Sequence, residues 1–188
     1  MIIGITGTIG AGKGTVVDYL VKKGFKHYAV SDDFLASEAT RRGLIPDRVT
    51  RRNIANEYRA KSPMALMEAV YERARAKAKG GDDGDIVIDP QHTKAEVEFI
   101  KEKGGIMLAV DADLKTRYER ISKRGSTKDQ VTYEEFVIQQ TKEMASVNPD
   151  ENNLAAAIAA ADHHVLNNGT LAELHEQIEE VLSKIKQS

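Results

Sequence analysis

Residues 7–15 read Gly-Thr-Ile-Gly-Ala-Gly-Lys-Gly-Thr, and they lie between an apolar run, Ile2–Thr6, and an amphipathic segment that begins at Val16. A glycine-rich turn between a strand and a helix is the context in which such a loop binds phosphate. The glycines let the backbone curl so that successive N–H groups point at an anion, and the helix presents the positive end of its dipole. A turn without a ligand is the alternative, but it would leave Lys13 without a structural purpose. The pattern therefore predicts a site for the polyphosphate of a nucleoside triphosphate, ATP.

The whole loop is the predicted ATP site, and Lys13 is expected to reach the β- and γ-phosphates. The loop residues are Gly7, Thr8, Ile9, Gly10, Ala11, Gly12, Lys13, Gly14 and Thr15. Because Gly14 follows the lysine, the hydroxyl arrives one position later, at Thr15. We therefore expect Thr15 to contact Mg²⁺ largely through water.

Short apolar runs alternate along the chain with longer helical patterns, as in parallel strands joined by helical crossovers. We predict five strands, at Ile2–Thr6, His27–Val30, Asp85–Asp89, Ile106–Val110 and His163–Leu166. The predicted fold class is α/β with three layers, in which a five-stranded parallel sheet carries helices on both faces.

Three threonines each stand three residues before a glutamate, which is the signature of a capping box at a helix N-terminus. The pairs are Thr93 with Glu96, Thr132 with Glu135, and Thr170 with Glu173. The last helix also has an apolar stripe that is expected to pack against the sheet. The stripe consists of Leu171, Leu174, Ile178, Val181, Leu182 and Ile185.

The chain has 188 residues, of which 41% are hydrophobic and 30% are charged, and its formal net charge is -2. The length predicts one domain over residues 1–188, and the charge argues against binding to nucleic acid or membranes through bulk charge. Cysteine is absent from the sequence, which excludes disulfides and thiolate chemistry and fits a cytoplasmic protein. No segment approaches the roughly 20 apolar residues that span a bilayer. A monomer and a homodimer are both compatible with the sequence.

Phosphoryl transfer depends mainly on positioning and on cations that neutralise the transferring group. Arg117, Arg120 and Arg124 follow the helical spacing i, i+3, i+7 and so share one helix face. We expect Arg120 and Arg124 to be catalytic, acting on the transferring phosphoryl group. A solvated basic face is the alternative.

Acidic residues follow two of the predicted strands. Asp89 ends the apolar run Ile86–Ile88, so we expect it at the carboxyl end of a central strand, where open α/β sheets bind ligands. There it would be a catalytic carboxylate that holds Mg²⁺ through water, although a turn with Pro90 is the alternative. Asp32 and Asp33 follow the second strand and are candidates to bind the acceptor, with helix capping as the alternative.

Arginines crowd the segment between the second strand and Pro63. Arg48, Arg52 and Arg59 are predicted to hold an acceptor monophosphate, since guanidinium groups bind phosphate in a bidentate manner. Exposed helix faces that pair with glutamates are the alternative. His92 stands alone in a turn and is not predicted to be catalytic.

The Gly-Lys-Gly-Thr at 12–15 resembles the adenylate kinase-like branch of the P-loop nucleotide kinases. Ser31–Leu35 looks like the start of the acceptor-binding segment of that branch, and Arg117–Arg124 looks like the lead-in to its lid. Ala161–Thr170 is similar to the final strand and turn shared by dephospho-coenzyme A kinases and small nucleotide kinases. In such folds this turn lies near the adenine, which implies a contact between Asn168 and ATP.

The resemblance implies a helical acceptor-binding insert at about residues 31–79 and a short lid at about 120–146. Two positions depart from the family pattern. Adenylate kinases usually have an arginine where this chain has Ala36, and related small kinases end the third strand with an acidic residue, a glycine and an arginine. This chain instead reads Asp89-Pro90-Gln91-His92.

The resulting expectation is a kinase that uses Mg²⁺ and moves the γ-phosphoryl group of ATP to a small nucleotide, with a nucleoside or deoxynucleoside monophosphate as the leading acceptor. Two alternatives stay open. One is a dephospho-coenzyme A kinase, although the acidic pair with histidine that this family has after its second strand is missing here. The other is a module that binds nucleotide to regulate a partner and transfers nothing.

Overall fold

A computed structural model describes residues 1–78, 84–124, 131–144 and 153–187. Its five strands form one sheet in which all neighbouring strands are parallel, in the order β2-β3-β1-β4-β5. The strands are β1 (Ile2–Gly7), β2 (Lys26–Ala29), β3 (Ile86–Asp89), β4 (Ile106–Asp111) and β5 (His163–Leu166). The predicted α/β class and all five strands are confirmed. Five strand boundaries differ from the prediction by one residue each. At the end of the second strand, Val30 was expected to be the last strand residue and instead begins a π-helical turn, Val30–Leu35.

The strands are joined by α-helices that are numbered in chain order. They are α1 (Lys13–Lys22), α2 (Ala36–Arg41), α3 (Arg48–Lys61), α4 (Ala65–Ala78), α5 (Lys94–Glu102), α6 (Leu114–Lys123), α7 (Tyr133–Met144), α8 (Leu154–Ala159) and α9 (Leu171–Gln187). Within the described ranges, none of these helices is both long and apolar enough to cross a membrane.

The sheet is buried on both faces, because successive side chains of a strand point to opposite sides. Ile86 and Ile88 face one core, which is formed with α3, α4, α5 and α8. Val87, between them, faces the other core, which is formed with α1 and α9. The three predicted layers are therefore present, and the near-continuous apolar sequences of β1, β3 and β4 reflect central strands that are covered on both faces.

The capping boxes fix where helices begin. The Thr93 hydroxyl accepts a hydrogen bond from the Glu96 amide at 3.2 Å, and the Glu96 carboxylate accepts one from the Thr93 amide at 3.3 Å. The same reciprocal bonds join Thr132 to Glu135 and Thr170 to Glu173. All three predicted boxes are therefore confirmed.

The apolar stripe of α9 packs on the sheet as predicted, with one exception. Leu174, Ile178, Val181 and Leu182 are buried, and Ile185 packs against the same core. Leu171, the first residue of α9, is instead 56% exposed. The prediction for Leu171 was wrong.

β1 lies at the centre of the sheet, with β3 on one side and β4 on the other. The carboxyl ends of parallel strands meet at one edge of a sheet, and this edge is where open α/β folds bind ligands. The loops after β1, β3, β4 and β5 therefore gather there, together with the π-helical turn after β2. The division of the chain into one domain with an acceptor-binding insert and a lid stays a prediction, and residues 79, 125–130, 145 and 146 of those segments, like most of Gly80–Gly84, lie outside the described ranges.

Candidate functional site

The loop after β1 is shaped by glycines with a left-handed backbone. Gly10 has φ 80° and Gly12 has φ 96°, which is a conformation that residues with a Cβ adopt rarely. A Cβ at Gly10 would lie 2.6 Å from the Arg117 carbonyl oxygen, and one at Gly12 would lie 2.3 Å from Asn167 Nδ2. The loop is therefore tightly enclosed by α6 and by the turn after β5.

This loop leads straight into α1, whose first residue is Lys13. The first-turn N–H groups of a helix have no partner within the helix, and Gly12, at the N-cap, has no side chain that could accept from them. A helix N-terminus of this kind attracts an anion through these donors and through the helix dipole. The loop and α1 together form the arrangement that the sequence predicted for phosphate.

The amino group of Lys13 lies over the loop. Nζ donates hydrogen bonds to the carbonyl oxygens of Gly7 at 2.7 Å and Thr8 at 2.8 Å. Burial lowers the pKa of Lys13 to about 8, and the charge of Asp89 opposes that effect only in part. The ammonium ion is thus held where it is poorly solvated. A phosphate that bound beside it would offset the free-energy cost of burying this charge.

Arg117, on α6, forms hydrogen bonds that connect the loop to neighbouring segments. It is buried, and its guanidinium donates to the Ala112 carbonyl oxygen at 2.9 Å, to Gln140 Oε1 at 2.5 Å and to the Ile9 carbonyl oxygen at 3.5 Å. Of the three arginines that share one face by spacing, Arg117 is therefore a structural link between the phosphate loop, α6 and α7. Burial lowers its pKa, although a guanidinium stays charged at any physiological pH.

Arg120 and Arg124 lie further along α6 and are less constrained. Arg120 reaches the Ala11 carbonyl oxygen at 3.5 Å and Asn167 Oδ1 at 3.4 Å, so it lies against the loop. Arg124 is exposed, has no ion-pair partner within the described parts of the chain, and contributes to the electrostatic potential at Lys13. The predicted role of both arginines in phosphoryl transfer stays a prediction.

The turn after β5 contacts the loop through Asn167. Its side-chain amide donates to the Ala11 carbonyl oxygen at 2.8 Å, and the residue is buried. Asn168, which the sequence assigned to ATP, is exposed and accepts a hydrogen bond from the Asp113 amide at 2.7 Å. The side chains of Asn167 and Asn168 point in different directions. Only the tertiary structure shows which of them faces the loop.

Asp89 lies at the carboxyl end of β3, half-buried and paired with His27 Nε2. Its carboxylate raises the pKa of His27, through their hydrogen bond first of all. Thr15 lies in the first turn of α1 and is half-buried. Within the described residues there is no group of three or more His, Asp or Glu side chains that could bind a metal alone. The assignment of Thr15 and Asp89 to Mg²⁺ therefore stays a prediction, in which phosphate oxygens and water would complete the shell of the ion.

Most predicted acceptor residues have partners inside the protein. Arg59 and Glu96 form an ion pair, with Nη2 2.8 Å from Oε1 and both side chains buried. Asp32 is paired with Arg51 at 2.6 Å, and the carboxylate of Asp33 accepts from the Ala29 amide at 2.8 Å and from Lys77.

Arg48 and Arg52 complete the predicted acceptor set. Their side chains are exposed on the first half of α3, and neither has an ion-pair partner in the described ranges. They are therefore the members of the set whose charge is available to a ligand.

His92 follows the carboxyl end of β3 and was not predicted to take part in the chemistry. Its backbone amide donates to Glu96 Oε2 at 2.8 Å, while its imidazole is hydrogen-bonded to none of the described residues. Burial lowers the pKa of His92 to about 4, with Lys13 and Arg59 adding to the effect. The imidazole is therefore neutral at physiological pH and lies near the end of Lys13.

The site also contains residues that sequence reasoning missed. These are Asn167, Gln140 and His27, in addition to His92. Only His27 carried a usable signal, because it opens the strand that was predicted next to the phosphate-binding edge. Its pairing with Asp89 depends on the register between β2 and β3, in which Ala29 is opposite Asp89.

The chain matches one family model and is similar to UPF0200 proteins. A family model described as an AAA domain matches residues 3–142. The UPF0200 protein of Pyrococcus horikoshii is 30% identical over 190 residues, covering 98% of this chain and 97% of that protein. The UPF0200 protein of Thermococcus kodakarensis is 29% identical over 197 residues and covers 98% of this chain and 100% of its own length.

Solved structures share the fold at lower identity. TT1252 from Thermus thermophilus superimposes with a TM-score of 0.58 at 22% identity, covering 98% of this chain and 97% of its own. A shikimate kinase from Bacteroides thetaiotaomicron has a TM-score of 0.58 at 11% identity and covers 99% and 98%. The fold is thus P-loop kinase-like, and the matching family and the archaeal relatives together place the chain in the AAA domain family and among the UPF0200 proteins.

Proposed function

We propose that the protein is an ATP-dependent phosphotransferase that moves the γ-phosphoryl group to a small nucleotide. A nucleoside or deoxynucleoside monophosphate is the leading acceptor on sequence grounds. The observation that carries the proposal is the enclosed loop from Gly7 to Thr15, with the ammonium of Lys13 held above it by two carbonyl oxygens.

The loop and α1 would bind the polyphosphate through backbone N–H groups, and Lys13 would exchange its bonds to Gly7 and Thr8 for bonds to the β- and γ-phosphates. Arg120 is already near the loop and Arg124 is unpaired within the described residues, so both are available to the charge that spreads over the transferring group. Mg²⁺, held through water by Thr15 and Asp89, would neutralise the phosphates.

Asn167, rather than Asn168, is our revised candidate for the contact near the adenine. Its amide is fixed by the Ala11 carbonyl oxygen and by Arg120.

The experiment is a coupled assay of ADP release from Mg·ATP with a panel of nucleoside monophosphates and dephospho-coenzyme A. ATP binding is measured separately with a fluorescent analogue. Turnover that depends on an acceptor supports the proposal. Binding of ATP without turnover on any member of the panel contradicts it and favours the regulatory module.

A further inference from the structure

Three cations of the predicted acceptor-binding segment are already matched to carboxylates. Arg59 is buried with Glu96, Lys77 lies 3.1 Å from Asp33, and Arg51 lies 2.6 Å from Asp32. A buried pair such as Arg59 and Glu96 is costly to separate, because either partner alone would be an uncompensated charge in the interior. This pair is therefore not free to receive a phosphate.

The groups at the carboxyl end of β3 do not favour a second anion. Asp89 is a carboxylate paired with His27, and His92 is an imidazole without a hydrogen-bond partner in the described residues. A monophosphate placed here would bring up to two negative charges close to those of the γ-phosphate, with Arg59 already neutralised. An alcohol would bring no charge and could form a hydrogen bond with the imidazole of His92.

Charge is available further out on α3. Arg48, Arg52 and Arg59 are spaced i, i+4 and i+11, which places them on one stripe of the helix. Arg59 forms the buried end, whereas Arg48 and Arg52 are exposed and unpaired within the described ranges. At 1.5 Å per residue, Arg52 lies about 10 Å and Arg48 about 16 Å along the axis from Arg59.

Resting on the proposed function, we infer that the acceptor is phosphorylated on a hydroxyl group and that its own anionic group lies outward along α3, at Arg52 and Arg48. The hydroxyl oxygen attacks the γ-phosphorus and forms a phosphate ester. The bond from that phosphorus to the oxygen bridging to the β-phosphate breaks, and its electron pair leaves with ADP. The hydroxyl proton passes to a carboxylate at the strand ends and then to water.

The chemical nature of the product tests this inference. The full chain is incubated with Mg·ATP and, separately, with AMP, CMP, dTMP or dephospho-coenzyme A, and the product is examined by phosphorus NMR and by acid treatment. We expect a phosphate monoester that survives acid. A phosphoanhydride such as ADP formed from AMP would overturn the inference while leaving the proposed function intact. Absence of turnover with every acceptor would overturn both.

A pair of variants tests the outer anion site. Arg52→Gln should raise the KM of the anionic acceptor by about 10- to 100-fold and leave the ATP KM unchanged, since one charge-assisted contact is lost. Lys61→Gln is the matched control, because Lys61 is an exposed cation on the opposite face of the same helix. The corresponding nucleoside, which lacks the phosphate, should be a poor acceptor, and it should be equally poor for the parent protein and for the Arg52→Gln variant. Equal acceptor KM values in the parent and Arg52→Gln would overturn the assignment of this anion site.

Discussion

Replacing Lys13 with methionine separates the chemical role of its charge from its contribution to stability. The side chain keeps nearly the same length but loses the ammonium that lies over the loop. Loss of one contact that stabilises charge in a transition state costs on the order of 100-fold or more in kcat. Phosphoryl transfer by Lys13→Met should therefore fall at least that far.

The same substitution should not lower the free energy of unfolding at pH 7, although it lowers kcat. Burial lowers the pKa of Lys13 from 10.5 to about 8, and a tenfold change in a proton-binding constant corresponds to about 1.4 kcal/mol. The charged form is therefore less favourable in the folded protein than in the unfolded chain by at most about 3 kcal/mol, a cost that is fully present below pH 8. The cost is relieved as the pH rises from about 8 to 10.5, because the unfolded chain binds more protons in that window.

Chemical denaturation at pH 7 and pH 10, with and without ATP, measures the effect on stability, and the coupled assay measures the effect on turnover. Without ATP, Lys13→Met should be at least as stable as the parent at pH 7, and its own stability should lack the parent's gain toward pH 10. Lys22→Met, at an exposed position of the same helix, controls for removal of a lysine. A large loss of stability at pH 7, or normal turnover in Lys13→Met, would refute this account of the loop.

Three further predictions concern other parts of the site. Arg120→Ala and Arg124→Ala should lower kcat far more than they raise the ATP KM. Steady-state kinetics that show an unchanged kcat in both variants would mean that these arginines form a solvated basic face and take no part in transfer. Arg59→Ala should lower the free energy of unfolding by about 3–5 kcal/mol, because Glu96 would be left buried without its countercharge. The double variant Arg59→Ala with Glu96→Gln should recover part of this loss, and urea denaturation measures both variants. Gly12→Ala should lower both melting temperature and ATP affinity, since its Cβ would lie 2.3 Å from Asn167 Nδ2; calorimetry that shows neither change would count against the tight enclosure of the loop.

The sequence was most informative where local chemistry decides the structure. Apolar runs predicted all five strands to within one residue at each end, most clearly for the central strands β1, β3 and β4, whose side chains are buried on both faces. The capping boxes depend on residues three positions apart, and all three are present. The phosphate loop is likewise contiguous, so its glycines, its lysine and the helix that follows could be recognised together.

Long-range pairing accounts for what the sequence could not supply. Arg59 looked available for a phosphate because its partner, Glu96, lies on a different helix. The same holds for His27 and Asp89, which meet only through the register of β2 and β3. Asn167 and Asn168 are adjacent in the chain, and their roles depend on which of them points toward the Ala11 carbonyl oxygen. In each case the deciding contact joins segments that are far apart in sequence.

The central position of β1 has a consequence for the order of folding. Ile3 pairs with Val87 and Ile5 with Leu108, so β1, which is synthesised before β3 and β4, must wait for both of its neighbours. Contacts of such wide separation form slowly, because a long loop must close before they are gained. A nascent chain that ends before β4 therefore exposes one edge of β1 and cannot hold the phosphate loop in place. Affinity for ATP should appear late in synthesis, and ATP would then act on the completed chain as a stabilising ligand that selects the native state.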